Sequence, residues 1–257
     1  MLLINKQHML FQGGLLRLMR EYDFSINGVN ASDLGVFAVR RPNIPAPVKR
    51  VSQQTVTGRN GVLVIDEGTY DPVEIKIECN FMSTSPDTFA YESRKVKNWL
   101  LSNQKGELIF NDDPDFFYKT QIIQCSEIER ASKKIGVFDI TCTCEPFTYL
   151  SAGKNEIDLP ESIQNDFYVA TPIYKLAGEG VFTLTVNGNS FTVNVAQNAT
   201  IDTSLMLVYR TDSGALINQN TQGEFESLFL KNGVNLIQVQ KPSDDSTIKI
   251  IPNWRAL

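Results

Sequence analysis

The chain has 257 residues, of which 42% are hydrophobic and 21% are charged, and its formal net charge is −5. This composition is typical of a folded globular protein and excludes a disordered or fibrous chain. The negative charge, with lysines and arginines spread in small groups, also argues against a protein that grips nucleic acid through phosphates. The length allows two domains of ordinary size.

Residues 1–18 form an apolar segment that Lys6, His8 and Arg17 interrupt. Its longest uncharged run is shorter than the roughly 20 residues that a membrane-spanning helix needs. It also lacks the basic start, clean apolar core and small-residue cleavage site of a signal peptide. We interpret residues 1–18 as an N-terminal extension, either a short helix or an extended translation start, and we predict no membrane association.

Short strands separated by turns are predicted after residue 20. The alternating residues 22–26 lead into an Asn-Gly turn at 27–28. Three prolines between residues 42 and 47 then favour an extended connection. A tight turn at 57–61 precedes the β-branched strand Val62–Ile65, and residues 73–77 alternate as in a half-buried strand.

A helix is predicted next. Ser85 suits the N-cap and Pro86 the first helical position. Apolar residues then recur at helical spacing and predict one buried stripe, formed by Phe89, Val96, Trp99 and Leu100. Gly106 suits the position just after a helix C-terminus.

The chain has few residues of the types that bind metals. Its only histidine is His8, and its four cysteines lack the number and spacing of ligands in a zinc site. Cys142 and Cys144 lie two positions apart in a predicted strand, so both should point to one face. Reduced, partly buried cysteines fit this pattern. We therefore predict no metal site and no cofactor.

The acidic run Asp112, Asp113 and Asp115 is the clearest candidate for catalysis. It lacks the glycine and distal glutamate of a calcium loop, so an Asp-Pro turn between strands explains it. The chain contains none of the common nucleophile, phosphate-loop or zinc-protease motifs. We predict no catalytic residues and no enzyme; the catalytic alternative is a glycosidase that uses two of these aspartates.

The last third of the chain, from Pro172 to Arg255, predicts a series of strands. Its clearest piece is a hairpin at 180–195, in which apolar residues alternate with threonines on both sides of Asn187-Gly188. Asn-Gly favours positive φ at both central positions of a type I′ turn, whose twist suits a hairpin. A run of such hairpins predicts an antiparallel sandwich without a catalytic constellation.

Several local patterns follow one another in a recognisable order, and no single one is specific. They are Asp33-Leu34-Gly35, Gly58–Gly61, Trp99-Leu100, the Asp-Asp-Pro turn at 112–114, Cys144–Tyr149, Asn187-Gly188, Gly233–Asn235 and Ile250–Arg255. This ordered series covers about residues 20–257 and resembles the distal tail proteins of siphophages. That family forms the hub at the tip of a long non-contractile tail.

The resemblance implies a two-domain subunit that is mainly β with one helix. Residues 19–150 would be an α+β ring-forming domain, and residues 151–257 an antiparallel β-sandwich similar to galectins and carbohydrate-binding modules. The subunit would form a homohexameric ring, single or double, at the virion tail tip after synthesis in the bacterial cytoplasm. The second domain is too short to contain the long arm through which some members hold receptor-binding proteins.

The partners that the resemblance implies are the tail tube protein, the tape-measure protein and a tail-associated hub or lysin protein. DNA would pass through the ring without specific binding. Ring formers need sheet edges or hairpins that can pair with neighbours, and we predict Arg59, Asn60 and Gly61 as part of the ring interface.

A carbohydrate-binding module that attaches to host cell-surface glycans is the alternative function. Tyr174, Tyr209 and Trp254 would then supply the faces on which sugars stack. Tyrosine and tryptophan also cap hydrophobic cores with the polar tip outward, and this core interpretation is the one we favour for all three.

Overall fold

The computed structural model of the protein describes residues 22–257, so the predicted extension at 1–18 lies outside the described residues. The chain divides into two compact units, the first ending at Thr148 and the second running from Tyr149 to Leu257. The boundary proposed from the sequence, between residues 150 and 151, lies close to this division. Each unit has its own hydrophobic core.

The first unit is built around one large sheet. Its strands are β1 (Phe24–Ile26), β2 (Val29–Asn30), β3 (Val36–Ala38), β4 (Lys49–Thr55), β5 (Val62–Tyr70), β6 (Val73–Met82), β7 (Gly106–Phe110), β8 (Phe116–Cys125), β9 (Glu129–Arg130) and β10 (Ile135–Leu150). Helix α1 spans Phe89–Ser102, and Ala31–Leu34 form a 3₁₀ helix. The sheet runs in the order β2-β1-β7-β8-β10-β6-β3, while β4 and β5 pair only with each other.

Helix α1 covers the apolar face of this sheet. All four residues of the predicted stripe are buried, at 8% exposure or less. The ring of Trp99 stacks on Phe24 with centroids 6.4 Å apart, and Phe89 meets Phe81 edge to face at 5.3 Å. On β6, Val73 and the two isoleucines after it point into the same core, as their alternation predicts.

Both ends of α1 differ from the prediction. Thr88, three residues after the predicted Ser85, holds the N-cap position, and the Oγ of Ser85 accepts the Thr88 N–H at 3.2 Å. At the other end the helix stops before Asn103, and Gly106 opens β7 instead. A Cβ at Gly106 would lie 1.8 Å from Asn27 Oδ1, so close packing of Asn27 requires the glycine there. No helix in residues 22–257 is long and apolar enough to cross a bilayer.

The second unit is a β-sandwich, as predicted. Its strands are β11 (Ile157–Asp158), β12 (Ser162–Asn165), β13 (Ile173–Ala177), β14 (Gly180–Val186), β15 (Asn189–Val195), β16 (Asn198–Asp202), β17 (Leu207–Tyr209), β18 (Thr221–Gln222), β19 (Gly233–Gln240), β20 (Thr247–Ile251) and β21 (Arg255–Ala256). Short 3₁₀ helices span Ser151–Lys154, Asn218–Asn220 and Phe225–Leu228. Two five-stranded sheets, β11-β20-β13-β16-β17 and β12-β19-β14-β15-β18, enclose its core.

The hairpin β14–β15 forms the centre of one of these sheets. Asn187 and Gly188 have φ angles of 50° and 84°, the positive values that a type I′ turn needs. Phe182 pairs with Val193, and Leu184 with Phe191. The apolar residues that alternate along both strands are at most 1% exposed. The predicted hairpin is therefore confirmed, and so is the face that it buries.

Candidate functional site

The hairpin β4–β5 differs from every other long pair of strands in the described part of the chain, because both of its faces are exposed. Thr55 pairs with Val62 and Gln53 with Val64, and residues 56–61 connect the strands. Apart from single intermediate positions, both strands are exposed along their whole length. The hairpin is therefore an arm rather than a part of the core.

This arm carries apolar side chains on both faces. Val62, Leu63, Val64 and Ile65 are exposed to 45%, 37%, 55% and 40%. Successive side chains of a strand point to opposite faces, so four apolar residues in a row make both faces apolar. Such continuous runs are typical of strands that are covered on both sides. The arm thus has the composition of a buried strand without a cover.

Two ion pairs fasten the base of the arm. Lys49 pairs with Asp66 across the strands, and Arg50 Nη2 contacts Asp71 Oδ1 at 2.9 Å. The hydrogen bond from Lys49, followed by the one from the Gly68 N–H at 2.8 Å, holds the pKa of Asp66 below its ordinary value. The Asp66 carboxylate therefore links both strands at neutral pH.

The predicted ring-interface residues Arg59, Asn60 and Gly61 lie together at the tip of this arm. All three are exposed. The Arg59 N–H donates to the Val56 carbonyl at 3.1 Å, and Gly61 has a φ of 82°, so the tip is a tight turn. The sequence predicted this turn and the strand that starts at Val62, but it missed β4, the strand that pairs with it. It also gave no indication that both faces of the hairpin are exposed.

A second feature of the first unit is an open sheet edge along β6. On one side β10 pairs with β6 from Val73 to Met82. On the other side β3 covers only Cys79–Phe81, and the Val39 N–H reaches the Glu78 carbonyl at 2.8 Å. Within the described residues, the stretch 73–77 has no strand on that side. Its outward backbone groups are available to another strand.

The three aromatic residues proposed for sugar stacking are not brought together. Tyr174 is 0% exposed, and its hydroxyl donates to the Leu228 carbonyl at 2.8 Å, so it lies in the core and offers no ring face to a sugar. Trp254 is partly buried and packs against the core of the second unit. Tyr209 ends β17, and no ring contact joins it to Trp254 in the part of the chain that the structure describes.

The acidic residues proposed as the catalytic alternative lie in the turn between β7 and β8, as predicted. Asp112 pairs with Arg41 Nε at 2.8 Å, and the Arg41 guanidinium lies 4.0 Å from the centre of the Phe110 ring. This carboxylate therefore has a structural partner. Burial raises the pKa of the Cys142 thiol to about 12, which keeps it in the unreactive thiol form. No group of three or more metal-binding side chains occurs among residues 22–257.

Comparison with known proteins identifies the first unit. Residues 19–146 match the family described as phage tail protein N-terminal domain. The chain belongs to the phage tail proteins. Its fold is that of a distal tail hub protein, since it superposes on the crystal structure of the phage SPP1 Dit (gp 19.1) protein. The TM-score is 0.66 at 14% identity, over 92% of this chain and 99% of that one.

The SPP1 protein is described as a paradigm of the hub adsorption apparatus in phages that infect Gram-positive bacteria. The baseplate of phage P2 in its activated conformation with calcium is a more distant match. Its TM-score is 0.47 at 9% identity, over 92% of this phage tail protein and 97% of the P2 chain. No match was found among curated protein sequences.

Proposed function

We propose that this phage tail protein is the ring-forming hub subunit at the tip of a long non-contractile tail, and that six copies form the ring. The observation that supports the proposal is the arm β4–β5, whose apolar faces are uncovered in the single chain. A lone two-stranded hairpin is at best marginally stable in water. Covering this arm with a neighbouring subunit would bury its apolar residues and stabilise both chains.

The arm and the open edge of β6 also explain why the assembly would be a ring. They are different surfaces of one unit, and an arm that contacts a different surface of its neighbour makes a head-to-tail interface. Head-to-tail interfaces repeat from subunit to subunit and close into a ring when the rotation allows it. Arg59, Asn60 and Gly61 at the tip would then reach furthest into the neighbour.

The proposed partners are the tail tube protein, the tape-measure protein and a tail-associated hub or lysin protein. The ring would join the tube to the adsorption apparatus of the virion, with DNA passing through without specific binding. The subunit would act by assembly rather than by catalysis, because its most prominent acidic residue, Asp112, is engaged by Arg41. A sugar-binding role is not favoured, since Tyr174 offers no exposed ring face.

Native mass spectrometry of the purified chain tests the ring. We expect a hexamer, or a double ring of hexamers, for the wild type. Val64→Asp and Ile65→Asp each place a charge on one of the two apolar faces of the arm, and at least one of them should yield monomers. Comparing the two identifies the face that a neighbour covers.

The matched control is Val181→Asp, because Val181 is 53% exposed on β14 and Val64 is 55% exposed on β5. This variant should assemble like the wild type. A wild-type chain that remains monomeric at high concentration contradicts the proposal, and so do hexamers that both arm variants leave intact.

A further inference from the structure

A cleft of about 930 Å³ opens at one edge of the β-sandwich. Its walls come from both sheets, with Leu236 and Val239 on β19 and Ile248 on β20. The connection from β11 to β12 crosses it through Leu159 and Glu161. Leu236 is 62% exposed, so the cleft has an apolar wall that nothing in the described chain covers.

The sheet edge on the β19 side of this cleft is unfinished. β12 pairs with β19 only from Gly233 to Leu236. The last hydrogen bond on this side of β19 is the one that the Ile237 N–H donates to the Glu161 carbonyl at 2.7 Å. The outward backbone groups of an antiparallel strand recur at every second residue, so the next ones belong to Val239. Neither of them has a partner within residues 22–257. A further strand can pair with the sheet here.

The charges around the cleft favour a basic occupant. Asp158 and Glu161 lie on its rim, and neither forms an ion pair in the described part of the chain. The cation in the lining, Lys241, is already engaged, because its Nζ donates to the Ser246 carbonyl at 3.1 Å. Complementary charges steer partners and fix their register at an interface.

We propose that this cleft binds an extended segment of another tail protein, which adds to β19 as a strand. The segment pairs with the backbone of Val239, directs an apolar side chain toward Leu236, and places a basic residue beside Asp158 and Glu161. Main-chain hydrogen bonds supply affinity in such strand addition, and side-chain contacts supply specificity. That the segment comes from a tail protein rests on the function proposed above.

Two other occupants fit the cleft less well. None of the described residues that line it is aromatic, so a sugar would find no ring on which to stack. A second copy of this chain also has a net charge of −5, so it would place negative charge against the acidic rim of the cleft. Like charges that face each other across an interface oppose association.

The probes are overlapping peptides that tile the tail proteins encoded beside this chain, added to the full-length protein and followed by fluorescence anisotropy. We expect a peptide that contains a basic residue to bind more tightly than its scrambled version. The double variant Asp158→Lys, Glu161→Lys should raise its Kd about tenfold or more. Val239→Pro, which removes the unpartnered N–H, should weaken binding in the same way, and circular dichroism should show that the variant remains folded.

The matched control is Glu224→Lys, Glu226→Lys, which makes the same charge change beside β18, at the opposite edge of that sheet. This control should bind the peptide like the wild type, and peptide binding should slow hydrogen exchange of the Val239 amide. The proposal is overturned if no peptide binds more tightly than its scrambled version, or if both double variants lose the same peptide affinity. It is also overturned if cell-wall polysaccharide or self-association alone slows hydrogen exchange of the Val239 amide. Native mass spectrometry of the same samples shows separately whether rings form, so a failed cleft and a failed ring are distinguishable.

Discussion

The hairpins β4–β5 and β14–β15 are similar in sequence and opposite in environment. Both have valine, leucine and threonine in their strands, and both turn through a glycine with positive φ. Along β14–β15 the apolar side chains that alternate with polar ones toward the core are at most 1% exposed. Along β4–β5 the apolar run that starts at Val62 is between 37% and 55% exposed. The hairpin β14–β15 completes the core of its own domain, whereas the hairpin β4–β5 leaves apolar residues exposed, which in our proposal a neighbouring subunit covers.

The order of residues within the strands accounts for the difference. In β14, Phe182, Leu184 and Val186 alternate with threonines, so one face is apolar and the other polar. One layer of core is enough to cover such a hairpin. In β5 the apolar residues are consecutive, so each face requires a cover of its own. The order of apolar and polar residues therefore decides whether one face or both faces of a hairpin need a cover.

The largest expected effect comes from removing a buried side chain from the hairpin β14–β15. Phe191 is 0% exposed and its ring lies 5.2 Å from that of Phe225, so Phe191→Ala leaves a cavity in the second core. We expect the free energy of unfolding of the second unit to fall by about 3–5 kcal/mol. Urea denaturation followed by circular dichroism measures the fall.

The matched change in the exposed hairpin is Leu63→Ala. Because Leu63 is 37% exposed and belongs to neither hydrophobic core, we expect the free energy of unfolding of the monomer to change by no more than about 0.5 kcal/mol. The same variant should weaken the ring. If Leu63→Ala destabilises the monomer as much as Phe191→Ala does, the arm is packed within its own chain and the contrast fails.

A smaller effect on stability should come from replacing the positive-φ glycine in the turn of each hairpin by alanine. Gly188 and Gly61 have φ angles of 84° and 82°, and a Cβ at either would meet nothing within 4 Å. The left-handed conformation alone costs an alanine roughly 1–2 kcal/mol at each position. We expect Gly188→Ala to lower the free energy of unfolding of the second unit by about that amount, measured by urea denaturation.

Gly61→Ala should behave differently, because an arm without core contacts can open locally while the rest of the unit stays folded. We expect the unfolding midpoint of the monomer to stay within error and the dissociation of the hexamer to speed up. Equal losses of monomer stability in the two glycine variants would show that the arm unfolds together with its domain.

The sequence predicted those features that depend on neighbours along the chain. The Asn187-Gly188 turn, the strands beside it and the buried stripe of α1 all follow from local periodicity. The start of α1 lies three residues later than predicted, because Ser85 and Thr88 are both suitable N-cap residues and only the contacts of the folded chain select between them. For Tyr174 the sequence favoured a core position but left sugar stacking open, because the hydrogen-bond partner of its hydroxyl, the Leu228 carbonyl, is 54 positions away.

The two surfaces to which we assign functions could not be predicted from the sequence, for physical reasons. A continuous run such as Val62–Ile65 predicts a strand that is covered on both sides, but it does not say whether the cover belongs to the same chain. The cleft beside β19 exists because β12 stops pairing after Leu236. Where one strand stops covering another is decided by the packing of both sheets, which no local pattern encodes.

The smallest expected effect concerns the charges at the base of the arm. Hydrogen bonds from Lys49 and the Gly68 N–H lower the pKa of Asp66, so the folded arm binds the proton less tightly than the unfolded chain does. The stabilisation is therefore fully present above the ordinary carboxyl pKa of 3.8 and is lost as the pH falls through the lowered value. We expect the amide signal of Gly68 in NMR spectra to keep its position from neutral pH down to pH 3.8 and to move only in stronger acid.

In the variant Asp66→Asn the Gly68 signal should no longer move in strong acid. The stability of the second unit should not change, since a solvent-exposed pair contributes little to overall stability. A Gly68 signal that moves already near pH 3.8 would show that the ion pair does not hold the arm in solution.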